Sequence, residues 1–329
     1  MVRYFICTFA RPNQESLSSV EVEIIKVMSG NTVNKQNAQL GFIGLGLMGS
    51  RFFRRLHSEG WKIRGWNRSH QVTIPLKMEG LDIAESLVDI VHGSEVLLSS
   101  LGNDEAVRSV YFGEAGVFAN IKSETIILEM STISPETSLL LHEGAKNRGV
   151  HLIDLPVSGS TPAVEAGVVT LLGGGEQETF KRCTPIFESI AKQWYLMGPA
   201  TSGIRMKLVV NLMLGVNMEA IAEAVSLGEH LKLNRDTLLD VLSKTAVIAP
   251  AFVGKFPKIK VGDYSPQFPL HLMSKDMDLV DSAAKATGAE LPAAVATRAI
   301  LQNARVESGD LDLSAITPYV LKLGHRSNS

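Results

Sequence analysis

From Gln39 onward, short apolar runs alternate with stretches whose apolar residues recur at helical spacing. Leu40, Phe42 and Ile43 read as a short buried strand, and a helical pattern follows through Phe53 and Leu56. The strand signal returns at 61–66, 95–101, 125–130 and 151–157, with helical stretches between. Ser134-Pro135 opens one of them, since serine caps a helix and proline loses nothing at the first helical position. Strands that alternate with helices predict a parallel sheet, which receives ligands beyond the carboxyl ends of its strands. Two more strands are expected at 168–172 and 193–197 around one helix over 176–191. Pro75 interrupts the short segment after Arg68 and predicts a reduced second crossover helix. Beyond Ser202 the strand signals vanish, and helices are expected over 203–231, 234–244, 267–287, 290–306 and 313–324. The chain thus divides into an extension (1–38), an α/β domain of Rossmann type with a parallel sheet (39–200) and an all-helical domain (201–329).

One helical stretch differs from the rest. Residues 203–215, GIRMKLVVNLMLG, are apolar on nearly every side, which predicts a buried helix. Lys207 and Asn211 stand four apart and share a face, and Gly203 one turn earlier would leave room in front of them. A buried ammonium is costly unless a partner or cleft receives it. Lys207 is therefore either a snorkelling structural lysine or a proton donor lining a pocket, and its neighbours leave both open.

Gly44, Gly46 and Gly49 form G-x-G-x-x-G, with Leu47 and Met48 inside the turn. The first glycine permits a tight turn, the second lets a pyrophosphate approach the backbone, and the third lets helix pack on strand. A strand before and a helix after make this a dinucleotide site. Asn67-Arg68-Ser69 stands at the end of the second strand, where NAD sites usually carry an acidic residue. Arginine between small polar residues suits a 2′-phosphate, which favours NADP over NAD, although a solvated loop arginine would look the same. Leu101, Gly102, Thr132 and Ser158 share the carboxyl edge of the expected sheet, and the Ser158-Gly159 turn offers backbone N–H groups to a carboxylate.

Composition narrows the classes. A chain of 329 residues can bury two cores, and a net charge of −2 gives no basic footprint for nucleic acid. Cys7 and Cys183 cannot build a disulfide framework and fit a reducing compartment. No apolar run approaches the ~18 residues of a membrane span, so no membrane association is expected, and no metal site. In the extension, Arg3, Arg11 and several Ser and Thr residues resemble an organelle transit peptide, whereas Glu15, Glu21 and Glu23 do not. Val20, Val22 and Ile24 alternate as a strand would. The balance leans to mitochondrial targeting, with a cytoplasmic protein as the alternative.

FIGLGLMG, EMSTISP, DLPVSGS, GIRMKLVVN and SKDMDL occur in the order and spacing seen in the β-hydroxyacid dehydrogenase family, which this chain resembles over about 39–325. That family includes 3-hydroxyisobutyrate dehydrogenases and glyoxylate/succinic semialdehyde reductases. The resemblance implies that Lys207 is the acid/base, Asn211 a substrate ligand, and Ser158 and Gly159 the carboxylate binders. By the same likeness Thr132 lines the substrate and nicotinamide pocket, and Lys275 lies beside the cofactor with Asp276 after it and Phe268 upstream. It also implies a small hydroxy acid or aldehyde acid as substrate and a homo-oligomer. Ser160 replaces the family's usual second glycine and Gly102 its usual proline, and the His-Asn pair of 6-phosphogluconate dehydrogenases is missing. Three functions follow: an oxidiser of the 3-hydroxyisobutyrate type, an NADPH-dependent aldehyde-acid reductase, or a non-catalytic NADP-binding interaction module. The last would be free to lose Lys207.

Overall fold

A computed structural model describes residues 32–326; the Val20–Ile24 alternation and the rest of 1–31 lie outside it. β1 (Gln39–Ile43) leads into helix α1 (Gly49–Ser58) and β2 (Lys62–Trp66), then α2 (His70–Met78) and α3 (Leu87–His92). β3 (Val96–Ser99), α4 (Asp104–Phe112), α5 (Val117–Asn120), β4 (Ile126–Glu129), α6 (Pro135–Lys146) and β5 (His151–Asp154) complete a parallel sheet of order β2-β1-β3-β4-β5. Successive residues on each strand serve opposite faces. Leu40, Phe42, Val96, Leu98, Ile126 and Leu128 enter one core with Phe52, Phe53 and Leu56. Ile43, Leu97 and Ile127 enter the other with Val107 and Tyr111. The inner strands β1, β3 and β4 are therefore mostly apolar, because helices cover both faces, whereas the edge strand β2 carries Lys62 and Arg64.

The sheet then departs from the all-parallel expectation. β6 (Val157–Ser158), α7 (Thr161–Ala166) and β7 (Val169–Gly175) follow, and β7 runs antiparallel to both β5 and β6. A parallel return needs a crossover of a dozen or more residues, and the short α7 with its flanks is too brief for one. The single helix expected over 176–191 is two, α8 (Gln177–Arg182) and α9 (Thr184–Ile190), before β8 (Ala191–Gly198). Pro185 has no N–H for the carbonyl of Lys181, so one helix cannot run through. Pro75, by contrast, does not break α2, which continues to Met78; the carbonyl it leaves unpaired belongs to exposed Gln71. Val33 and Ala38, in the stretch assigned to the extension, are buried in the sheet's core.

α10 (Ser202–His230) contacts β7 and β8 near its start and four helices of the following domain beyond. These come from α11 (Arg235–Ser243), α12 (Pro250–Val253), α13 (Phe256–Val261), α14 (Leu270–Thr287), α15 (Pro292–Ser308), a 3₁₀ turn (Leu313–Ala315) and α16 (Ile316–Arg326). α12 and α13 were not expected; each is too short and too proline-bounded to show a period. Two expectations for α10 fail. It is not buried all round, since Val209, Met213 and Leu227 are 55%, 59% and 61% exposed. It is also long and apolar enough to cross a membrane by length and composition. Its inner face, however, supplies Met218, Ile221, Ala222 and Val225 to the helical core, the arrangement of a core helix.

Candidate active site

A cleft of about 200 Å³ lies between the sheet's carboxyl edge and helices α10 and α14. Its sheet side is made largely of backbone. Gly44 has φ +89, and a Cβ there would stand 2.3 Å from the Ser100 carbonyl oxygen. A Cβ on Gly49 would stand 1.9 Å from the carbonyl oxygen of Gly44, so only glycine lets α1 start this close to β1. At Gly46 the added atom would meet nothing within 4 Å, and this residue lines the cleft with Leu47 and Met48. The N–H groups of Ser50 and Arg51 in the first turn of α1 donate to the Gly46 and Met48 carbonyls. Those of Leu47, Met48 and Gly49 have no hydrogen-bond partner among the described residues and stay available to a phosphate. The residues present therefore fit a nicotinamide dinucleotide.

Asn67 Oδ1 accepts from the Leu45 N–H at 3.0 Å and so ties the end of β2 to the glycine turn. Arg68 is exposed, makes no hydrogen bond or ion pair among the described residues, and with Asn67 and Ser69 lies off the cleft wall itself. The edge carrying Leu101, Gly102 and Thr132 rests on a buried network that the sequence reading missed. The Leu101 N–H donates to Ser131 Oγ at 2.7 Å, and the Ser131 N–H donates to Glu129 Oε1 at 2.8 Å. Glu129 also accepts from Ser99 Oγ, which lies 2.6 Å from the Tyr111 hydroxyl. Burial raises the pKa of both Glu129 and Tyr111. The signal was present: an acidic residue in an otherwise apolar buried strand needs partners.

The helix side is made of charged side chains. Lys207 is 9% exposed and lines the cleft. Burial pulls its pKa down to about 8, with Asp276 opposing the shift and Lys275 adding to it. Asp276 on α14 is 2% exposed, and its Oδ2 accepts from Asn211 Nδ2 at 2.6 Å. Its Oδ1 lies 3.0 Å from Lys275 Nζ, an ion pair outside hydrogen-bond geometry. Burial raises its pKa against the pull of Lys275 and Lys207. Lys275 Nζ donates to the Thr132 carbonyl oxygen at 2.5 Å, joining α14 to the sheet edge. Asn211 is fully buried behind the cleft wall, and its Oδ1 has no hydrogen-bond partner among the described residues.

The structure gathers Thr132, Lys207, Phe268, Lys275 and Asp276 on the cleft with the glycine turn, and adds Gln267. The N–H groups of Gln267 and Phe268 donate to Asp312 Oδ2, each at 3.1 Å, and Lys255 Nζ donates to Asp312 Oδ1 at 2.6 Å. Burial works against the Asp312 carboxylate, yet Lys255 and these bonds hold its pKa below the usual range. Val157 and Gly159 reach the cleft; Ser158 pairs with Thr170 across β6 and β7 and does not line it. Gly203 does not open space before Lys207. A Cβ there would lie 2.3 Å from the Leu172 carbonyl oxygen and 2.8 Å from Asp154 Oδ2, so the glycine serves close packing on the sheet.

Residues 39–198 match the NAD-binding domain of 6-phosphogluconate dehydrogenase, and residues 201–320 the family described as NAD-binding of NADP-dependent 3-hydroxyisobutyrate dehydrogenase. The chain is 33% identical over 283 residues to glyoxylate/succinic semialdehyde reductase 1 of Arabidopsis thaliana, covering 86% of this chain and 98% of that one. The chain belongs to the β-hydroxyacid dehydrogenase family. A solved structure of 3-hydroxyisobutyrate dehydrogenase from Salmonella typhimurium superposes with TM-score 0.79 at 26% identity, over 86% of this chain and all of that one. The chain also matches, at 28% identity over 84% of its length, a Drosophila melanogaster protein named cytokine-like nuclear factor N-PAC, of which it spans 46%. β-Hydroxyacid dehydrogenases are NAD(P)-dependent oxidoreductases, and this chain is one of the 3-hydroxyisobutyrate dehydrogenase type.

Proposed function

We propose that Lys207 is the acid/base of an NADP-preferring enzyme that interconverts a small 3-hydroxy acid and its semialdehyde. The carrying observation is the buried Lys207 ammonium, drawn down to about 8 and set on the cleft beside Asp276 and Lys275. A proton donor works best when its pKa lies near the operating pH. The Gly44–Gly49 turn would hold the pyrophosphate, and Arg68, exposed with no protein partner given up, would take the 2′-phosphate. When bound, the nicotinamide supplies or accepts hydride at C4. Lys207 gives its proton to the substrate oxygen in reduction and takes it back in oxidation. Asp276 and Asn211 hold the ammonium's surroundings, the Gly159 backbone receives the substrate carboxylate, and the walls of the cleft exclude water.

Arg68 and the relative named as a reductase favour the reductive direction. The N-PAC relative, whose name is that of a nuclear factor and not of an enzyme, leaves a second reading, a binding module without turnover, against which stands the intact Lys207 group. Purified protein assayed with NADPH and NADH against semialdehydes, and with NADP and NAD against hydroxy acids, separates these. NADP binding without turnover on the whole panel would support the module. The exposed Val209, Met213 and Leu227 of α10 favour a homo-oligomer, which sedimentation velocity would test. Arg3 and Arg11 among hydroxyl residues favour mitochondrial targeting, which an import assay would test.

A further inference from the structure

Asp154 ends β5, is fully buried, and has no part in the chemistry above. Its carboxylate faces the start of α10. Oδ1 accepts from the Thr201 N–H at 2.9 Å and Oδ2 from the Ile204 N–H at 2.9 Å. His142 Nε2, from α6, lies 2.8 Å from Oδ1. α10 has no side-chain cap of its own: Thr201, the residue at that position, has a left-handed backbone (φ +73) and a buried hydroxyl with no hydrogen-bond partner among the described residues. Asp154 therefore takes the place of a cap side chain, bonding the N–H three residues past the cap position, and its charge sits where a helix N-terminus favours an anion. The surroundings are shaped around it. A Cβ on Gly203 would lie 2.8 Å from Oδ2, and one on Gly174 would lie 2.6 Å from Oδ1. Two glycines thus allow α10 and β7 to close on one carboxylate. Lys207 follows Ile204 by about one helical turn.

We propose that Asp154 is a positioning residue for Lys207. It locks the first turn of α10 to the sheet that carries the cofactor turn, and so fixes where the ammonium stands in the cleft; His142 is its outer support. The proposal rests on Lys207 being the acid/base, and misplacing a reacting group by ~1 Å can cost roughly 100-fold in rate.

The test is a double-mutant cycle on kcat in the full chain, using Asp154→Asn, Lys207→Ala and the double variant, with NADP titrations beside it. Asp154→Asn should lower kcat roughly 10- to 100-fold and leave NADP affinity within about twofold. In the Lys207→Ala background it should lower kcat no further, because there is no ammonium left to misplace. Losses that multiply in the double variant, or an unchanged kcat in Asp154→Asn, would overturn the proposal. A Lys207→Ala protein with normal turnover would instead overturn the acid/base reading. If Asp154→Asn fails to fold, His142→Leu goes through the same cycle. It leaves both backbone bonds in place and should cost a few-fold that again vanishes without Lys207; a loss that persists there counts against Asp154 as surely as one in the first cycle.

Discussion

The two walls of the cleft are built on opposite principles. The sheet wall is defined by what is missing, the Cβ atoms of Gly44, Gly46 and Gly49, within one short turn. The helix wall is defined by side chains that meet across the fold, Asn211 and Asp276 being 65 residues apart in sequence. Backbone geometry holds a phosphate without tuning, since N–H groups do not titrate. The helix wall works only through mutual adjustment: burial lowers Lys207 and raises Asp276, and each restrains the other's shift. A binding surface can be fixed locally, whereas an acid/base has to be fixed collectively.

The largest break in this comparison comes from the helix wall. Lys207→Ala should lower kcat by ~10²–10⁴-fold while NADP affinity, set by the other wall, barely moves. Lys207→Arg should fail almost as badly, because guanidinium does not release its proton near neutral pH. Steady-state kinetics with near-normal turnover for the arginine variant would end the catalytic assignment. Next comes Arg68→Ala, which should weaken NADP by about 1.5–3 kcal/mol and leave NAD nearly unchanged. Equal losses in a fluorescence titration would refute the 2′-phosphate role. Within the sheet wall, Gly49→Ala forces an atom to 1.9 Å from the Gly44 carbonyl oxygen and should cost about 1–3 kcal/mol of stability. Gly46→Ala should melt normally yet bind cofactor poorly. If the two variants lose the same Tm, the second glycine does not face the ligand. The smallest effect sharpens the helix wall. Oxidation needs neutral Lys207, so its rate should rise with pH through about 8. Reduction needs the ammonium and should fall over the same range. Asp276→Asn removes the charge that holds Lys207 up, so both midpoints should move to lower pH; a move upward would show that Lys207 is not the titrating group.

The same division governs what could be read in the sequence. The glycine turn, the strand before it and the helix after it lie within a few residues of one another, and local pattern was enough. Lys207 and Asn211 were legible as a pair because helical spacing places them on one face. Glu129, Asp154 and Asp312 were not singled out, since each bonds groups that are remote in the chain, Asp154 reaching Thr201 and Ile204 across 47 and 50 residues. Gly203 was noticed for the wrong reason: spacing shows that a Cβ is missing but not which neighbour fills the gap. Hydropathy made α10 look covered on every side, yet it cannot tell which apolar face meets a partner, and Val209 and Met213 meet solvent. The reversal of β7 depended on the shortness of its connection, which strand-and-helix alternation does not register.

α10 also has a consequence for how the molecule comes apart. Ile204, on its first turn, is fully buried in the core beneath the sheet, while Met218, Ile221, Ala222 and Val225 are buried in the helical core. One rigid rod is thus a structural member of two hydrophobic interiors. Withdrawing it from either leaves an unfilled void in that one and a strip of apolar surface facing water. The two halves, different as they are in architecture, should therefore melt together, which calorimetry would show as a single transition. A chain cut at the start of this helix would leave the sheet's core without Ile204.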